Sequence, residues 1–288
     1  MRGLLVLCVP FIIGCIVAAV AYSAKGWWGF WLIFPWIGAS ISIGQVISAR
    51  HRKDKRDIGR RIAILAIAPV FLIFIGIMQR ENLQLEETIF YLAAGAFSRV
   101  LLHYTIAKVA GPLIWGRGFC GWACWTAAIL EWLPIKENKP IPLKYTLYRF
   151  PALIISILVP LLFIWSGYDY TREQLMESYG KADQLIWFLV GNSLYYILAI
   201  LLAFIFKKKR AFCKILCPVA LVMKIPAKYA RIKVKPTENE CVACGQCSGN
   251  CPMDVDVMGF IRRGETVKST ECILCRNCST ICPVGAVK

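Results

Sequence analysis

Over its first two hundred positions the chain shows no short alternation of polar and apolar residues. It runs apolar for about twenty residues at a time, and brief charged stretches interrupt it. A helix needs about 20 consecutive apolar residues to cross the hydrocarbon core of a bilayer. Six runs meet that need and are predicted as transmembrane helices: residues 4–22, 29–48, 62–78, 88–110, 148–167 and 185–206. The fourth carries charged residues inside it. After residue 206 the pattern changes twice. Residues 207–240 form a basic connector, in which 215–229, with Lys214, Lys224 and Lys228, predicts an amphipathic helix along the membrane surface, limited by Pro226. Residues 241–288 are rich in cysteine and turn-forming residues and read as a separate small domain. The expected architecture is an α-helical membrane bundle over 1–206, the connector, and a small α+β domain.

Composition agrees, since 58% of residues are hydrophobic and the mean hydropathy is +0.58 even with the polar tail included. Seven Lys and Arg lie in the loop 50–61, and Lys207-Lys208-Lys209-Arg210 follows the last run, whereas the loops 80–87 and 168–184 are mixed to acidic. Cationic loops stay on the cytoplasmic side, so both termini and the tail are expected there, and six crossings satisfy that assignment. The formal net charge of +17 is then a topology signal, reinforced by anionic lipid of the inner leaflet, and nucleic acid is not an expected partner. Lys108 and Arg117 are expected to snorkel to water. Trp27, Trp28 and Trp31 are expected to anchor the outer interface. With Arg2 as its only early charge, the first run is expected to be retained and not cleaved as a signal peptide.

The chemistry is concentrated in cysteine. The tail repeats one spacing, Cys241-x2-Cys244-x2-Cys247-x3-Cys251-Pro252 and Cys272-x2-Cys275-x2-Cys278-x3-Cys282-Pro283. This is the ligand run of a bacterial two-cluster ferredoxin, in which three thiolates of one motif are joined by the last cysteine of the other. Cys241, Cys244, Cys247 and Cys282 are therefore expected to hold one 4Fe-4S cluster, and Cys272, Cys275, Cys278 and Cys251 a second. Structural zinc or a disulfide framework would not repeat a four-cysteine run followed by proline. A domain this small cannot bury enough apolar surface alone, so cluster binding is expected to supply much of its folding free energy.

Two further pairs, Cys120/Cys124 and Cys213/Cys217, follow the fourth and sixth runs, both on the expected cytoplasmic side. Brought together they would make a four-thiolate site for a third iron-sulfur centre, of 2Fe-2S or 4Fe-4S type. A redox disulfide or simple packing are the other readings. Arg99 and His103 lie one turn apart in the fourth run and read either as a quinone site, with His103 exchanging a proton, or as a packing hydrogen bond or a shifted span boundary. With His51 the only other histidine, a bis-histidine haem within this chain is not expected. Cys8 and Cys15, at i and i+7 of the first run, read as packing residues.

The segment Gly116-Arg117-Gly118-Phe119-Cys120-Gly121-Trp122-Ala123-Cys124, then Cys213-Lys214-Ile215-Leu216-Cys217-Pro218, then the tandem cysteine runs resembles, in this order, the NapH/NosR group of polytopic membrane ferredoxin-type proteins. The resemblance implies a prokaryotic inner-membrane subunit that moves electrons between a cytoplasmic donor or the quinone pool and a reductase or dehydrogenase system, with quinol oxidation and quinone reduction both compatible. It covers residues from Gly116 onward. Trp125 stands where the pattern has proline after the second cysteine, and no flavin-attachment stretch is present, so covalent flavin is not implied. An alternative is a redox assembly or regulatory factor for another respiratory complex, as in related proteins of the cytochrome oxidase assembly type. Those are expected to continue into a further folded domain, whereas six residues follow Cys282 here.

Overall fold

The computed structural model describes residues 2–51, 57–96, 98–173 and 179–288. Four members of the basic loop, Arg52, Lys53, Lys55 and Arg56, and residues 174–178 of the acidic loop lie outside the described residues. Five stretches are helical, long and apolar enough to cross a bilayer: Cys8–Lys25, Gly29–Arg50, Asp57–Met78, Leu143–Trp165 and Lys181–Ile205. They belong to α1 (Arg2–Lys25), α2 (Gly29–Arg50), α3 (Asp57–Pro69, continued by a π-helical Val70–Met78), α8 (Arg149–Trp165) and α10 (Tyr179–Ile205). The switch to π-helical hydrogen bonding in α3 comes directly after Pro69, whose missing N–H interrupts the i to i−4 ladder.

The predicted fourth span, 88–110, is not one helix. Its first part belongs to α4 (Leu85–Ala94), which ends at Gly95 with φ 65°, a left-handed position that glycine occupies without Cβ strain. The chain restarts at α5 (Arg99–Tyr104), where the Ser98 side chain accepts from the Val100 N–H as an N-cap. This helix continues through a π-helical Thr105–Ala110 into Gly111–Trp115. Residues 99–115 therefore run on as a second helical stretch, about 25 Å at 1.5 Å per residue, shorter than the five candidate spans, while α4 is a short helix packed against α8, α9 (Tyr170–Glu173) and α5.

The bundle has two distinct ends. At one, Trp27 and Trp28 between α1 and α2 pack on Phe74, and Arg99 stacks on Trp27 at 4.5 Å. Trp165 is largely exposed there, as an interfacial aromatic is. At the other end lie α6 (Gly118–Trp122), α7 (Trp125–Leu130), α11 (Ala211–Ile215) and α12 (Pro218–Ala227), and on them sits the cysteine tail. The surface helix expected over 215–229 is α12, with Pro218 in its first turn and Pro226 in its last. It packs against residues 105–115 and α8.

The tail is built of turns and short helices: α13 (Gln246–Gly249), α14 (Val257–Arg262) and α15 (Asn277–Ile281). Among the described residues its one β feature is an isolated antiparallel bridge between Pro236 and Val287, so the expected α+β character shrinks to a single pairing. Cysteine, glycine and proline turns leave segments too short for a ladder. Val234, Met253, Val255, Ile261, Val267, Ile273 and Ala286 form the apolar centre.

Candidate metal centres

The two tail motifs share a backbone conformation. Left-handed φ values fall at matched positions in each copy: Ala243 and Leu274, Gly245 and Arg276, Asp254 and Gly285. Four of these six are not glycine, and each such residue costs of order 1–3 kcal/mol, so its surroundings must hold it there. The reversals wrap each run around a common centre. Backbone amides point at sulfur in the same way in both copies, from Val255 N to Cys251 Sγ at 3.4 Å and from Ala286 N to Cys282 Sγ at 3.2 Å, and such donors favour a thiolate. A cavity is lined by Cys251, Cys272, Cys275 and Cys278, three sulfurs from one motif and one from the other. The Cys278 thiol is pushed up by burial and then by its neighbours Cys275, Cys272 and Cys251. Cys247 has Cys241 beside it, Cys282 is buried, and Cys244 is exposed at the tip of the tail with Val242. Among the described residues no three His, Cys, Asp or Glu side chains converge tightly enough to hold a single ion. The tail donor set, all sulfur, spaced around a cavity and backed by N–H groups, fits an iron-sulfur cluster better than zinc.

The C-x3-C pairs also share one geometry. Cys120 lies in α6 and Cys213 in α11, while Cys124 and Cys217 are the extended N-caps of α7 and α12, with φ/ψ of −73°/116° and −62°/110°. Cys124 N donates to Phe119 O at 3.1 Å, and Cys217 N to Phe212 O at 3.0 Å. Trp125 thus supports the turn that Pro218 supports in the second copy. The four thiols lie close enough to act on one another: burial raises Cys217, followed by Cys213, Cys120 and Cys124, and burial raises Cys124, followed by Cys120. Cys120 Sγ also touches Met223 Sδ at 3.7 Å.

The expectation that Lys108 and Arg117 snorkel to water is overturned, because they are 4% and 0% exposed. Lys108 Nζ lies 3.1 Å from the centre of the Phe119 ring and faces Cys124, Cys120 and Cys217. Arg117 is close to Cys120, Cys213 and Cys217; burial opposes its charge, but these thiols and Glu271 hold it more firmly protonated than usual. Its Nε and Nη2 are buried without a hydrogen-bond partner. Arg210 occupies the matching position, binding the Cys120 carbonyl with Nη1 at 3.0 Å and Glu131 with Nε at 2.9 Å. A buried guanidinium edge and a buried ammonium facing four thiols need anionic sulfur as counter-charge, which fits a thiolate-bound cluster. The sequence signal for these cations is a repeat, Arg-x-Phe-Cys-x3-Cys at 117–124 and at 210–217. It is visible without a structure, but a search for cysteine spacing alone passes over it.

The tail is joined to the bundle by buried charge. Glu271, next to Cys272, receives Arg117 Nη1 at 2.5 Å, Arg149 Nη1 at 2.9 Å and Lys224 Nζ at 3.0 Å. Burial pushes its carboxyl up, yet these cations hold it down to about 2. Asp254, close to Cys251, receives Lys208 and Lys214 at 2.6 Å each. Backbones meet as well: a Cβ on Gly121 would lie 2.1 Å from the Ile273 carbonyl oxygen, and Trp122 Nε1 donates to Leu274 O at 3.0 Å. Only glycine allows the 120–124 turn to approach the 272–275 turn so closely.

Arg99 and His103 share α5 but face different groups. Arg99 pairs with Glu81 and stacks on Trp27, half exposed at the end remote from the tail. His103 lies one turn deeper against Phe71, Tyr104 and Phe119, with its Nε2 buried and without a partner.

Two 4Fe-4S binding domain families match the chain, one over residues 105–139 and 191–236, the other over 266–288. The first covers both C-x3-C pairs and the second covers the last cysteine motif, so 4Fe-4S binding domains are present. The chain is 28% identical over 176 residues to the uncharacterized protein MJ0749 of Methanocaldococcus jannaschii, covering 57% of this chain and 62% of that protein. It is 26% identical over 171 residues to the putative electron transport protein YccM of Escherichia coli, covering 53% of this chain and 46% of that protein. It is 26% identical over 166 residues to the regulatory protein NosR of Pseudomonas aeruginosa, covering 53% of this chain and 22% of that protein. These matches thus span from about a fifth to under two thirds of those relatives. They agree with the resemblance to membrane ferredoxin-type proteins carried by the motif order. No solved structure matches.

Proposed function

We propose that this chain is a membrane-bound electron-transfer subunit that carries electrons between a cytoplasmic redox partner and the quinone pool or a membrane-bound reductase or dehydrogenase. Its ligands would be two 4Fe-4S clusters in the tail, one on Cys241, Cys244, Cys247 and Cys282, the other on Cys272, Cys275, Cys278 and Cys251, and a third iron-sulfur centre on Cys120, Cys124, Cys213 and Cys217. Bound clusters supply one-electron transfer. The chain holds each donor set at a fixed separation, surrounds the inner set with Lys108, Arg117 and Arg210, and exposes the outermost thiol, Cys244, to a soluble partner.

The observation that carries this reading is the contact of the Ile273 carbonyl with Gly121, which brings the turn of one tail set against the turn of the inner set with no side chain between them. The tail and the N-terminus of α1 lie on the same end of the bundle, which suits a cytoplasmic placement of both. Arg99 and His103 would then lie on the far side of the inner set, where a quinone could accept or deliver electrons. The test is Cys213→Ser with Cys217→Ser. Purified protein is expected to lose roughly a fifth of its iron if the inner centre is 2Fe-2S and roughly a third if it is 4Fe-4S, and the tail, once reduced, is expected to pass no electrons to a short-chain quinone in liposomes. Unchanged iron content together with unchanged quinone reduction overturns the relay. A redox assembly role is the second reading, favoured by the regulatory name of NosR. Loss of metal from another enzyme on deletion, with no redox subunit co-purifying, would select it.

A further inference from the structure

The half of the bundle remote from the tail contains a buried polar cluster that electron transfer alone does not use. Its core is α4 and the turn before it. Glu86 Oε1 accepts from the Tyr195 hydroxyl at 3.2 Å, Ser156 lies beside the same carboxyl, and Tyr104 adjoins it. Glu87 accepts from the Tyr170 hydroxyl and, at 2.8 Å, from Gln184 Nε2, which also reaches the Tyr91 hydroxyl at 2.9 Å. Tyr195 lies near the middle of α10, so Glu86 stands about halfway through the bundle. Among the described residues neither carboxyl faces a cation; Glu87 faces Glu81, and Arg99 is paired with Glu81. Beside them Asn82 and Gln84 are 0% and 4% exposed, and Asn82 Nδ2 and Gln84 Nε2 have no hydrogen-bond partner.

We infer that Glu86 and Glu87 form an intramembrane proton site, served by ordered water that Asn82 and Gln84 hold and opening at the Glu81–Arg99 pair on the end remote from the tail. The two carboxyls face different partners, and a carboxyl without a counter-cation in an apolar bundle stays ionised only at high cost. Buried amides with free donors are the usual binding sites of internal water. The step is a protonation: hydronium from the remote face gives its proton to a carboxylate oxygen of the pair and leaves as water, with no redox change at the site. Tyr195 extends the cluster toward the other end, since its ring lies 5.5 Å from Phe212, the residue before Cys213. The site does not depend on the electron-carrying role.

The test uses the full, iron-loaded chain in lipid nanodiscs at neutral pH. Infrared spectra are expected to show a protonated carboxyl C=O band that shifts in heavy water and is lost or halved in Glu86→Gln and in Glu87→Gln, with iron content unchanged. In the wild type, a hydrophobic carbodiimide, which reacts with protonated carboxyls in apolar surroundings, is expected to label the peptide carrying Glu86 and Glu87 and to leave Glu81 unlabelled. Absence of an exchangeable acid band in the wild type overturns the inference, as does a band of undiminished intensity in both variants. Because the labelling arm needs no variant, a misfolded mutant does not protect the idea.

Discussion

The tail and the membrane pairs each present cysteines in duplicate and both set backbone N–H groups at sulfur, but they differ in the side-chain charge placed around it. In the tail, backbone N–H groups point at Cys251 and Cys282, and left-handed turns shape the loops. At the membrane pairs the backbone N–H groups of Ala127 and Ala220 likewise reach Cys124 and Cys217. Three side-chain cations, Lys108, Arg117 and Arg210, face the thiols there as well, whereas in the tail Arg60 stands by Cys275. The difference follows from access to water. The tail has solvent near Cys244 to screen added charge, whereas a site under a bundle needs fixed counter-charges in a medium of low dielectric. Backbone dipoles act at both sites, and full charges are added to them where water is remote.

The largest break in that comparison should come from Arg210. Arg210→Ala leaves Glu131 short of a partner and frees the Cys120 carbonyl, and removing one member of a buried pair costs about 3–5 kcal/mol. The expected result is poor recovery of folded protein or loss of the inner centre's iron with the tail's iron retained, read by iron assay and magnetic resonance. Next is Glu271→Gln, which deprives Arg117, Arg149 and Lys224 of a shared carboxylate. It is expected to loosen the tail by about 2–5 kcal/mol, seen as faster proteolytic release of residues 241–288 from the membrane.

Acid probes the same joint more gently. Glu271 is held at about 2, against an ordinary 4.5. A carboxyl depressed on docking contributes in full above its ordinary value and loses that contribution as pH falls toward the docked value. Tail release is therefore expected to be flat from neutral pH down to about 4.5 and to rise below it, with a weaker rise in Glu271→Gln. Gly121→Ala should cost about 1–3 kcal/mol, as overpacking does, and should slow electron passage from tail to bundle more than it lowers iron content, measured by flash reduction. The smallest effect is expected for Arg276→Gly. It gives the second loop the glycine that the first has at 245, and it should change the rate of cluster loss by no more than about 1 kcal/mol allows.

The tail motif was legible because its ligand spacing is local, with each loop closing within eleven residues. The interruption of the fourth run was also written in the sequence, as Gly95 followed by Ser98, a stop and a start signal. Hydropathy over a window averages such punctuation away. The buried cations were misread because a cation near the end of a span is ordinarily taken to reach water. Arg117 and Lys108 are instead roofed by the tail and by Phe119, contacts between residues more than ten positions apart that no local pattern encodes. Glu86 and Glu87 lay in a run whose charges were visible, but their partners Tyr195, Tyr170 and Gln184 come from helices a hundred residues away.

The three-way grip on Glu271 also imposes a schedule on biogenesis. A ribosome delivers Arg117 and Arg149 more than a hundred residues before the carboxylate that neutralises them, and the translocon cannot seal that end of the bundle around unpaired guanidinium groups. Until the last stretch is made, those two guanidinium groups lack the carboxylate that closes over them. The closing carboxylate is thus a latch that only the finished chain can shut.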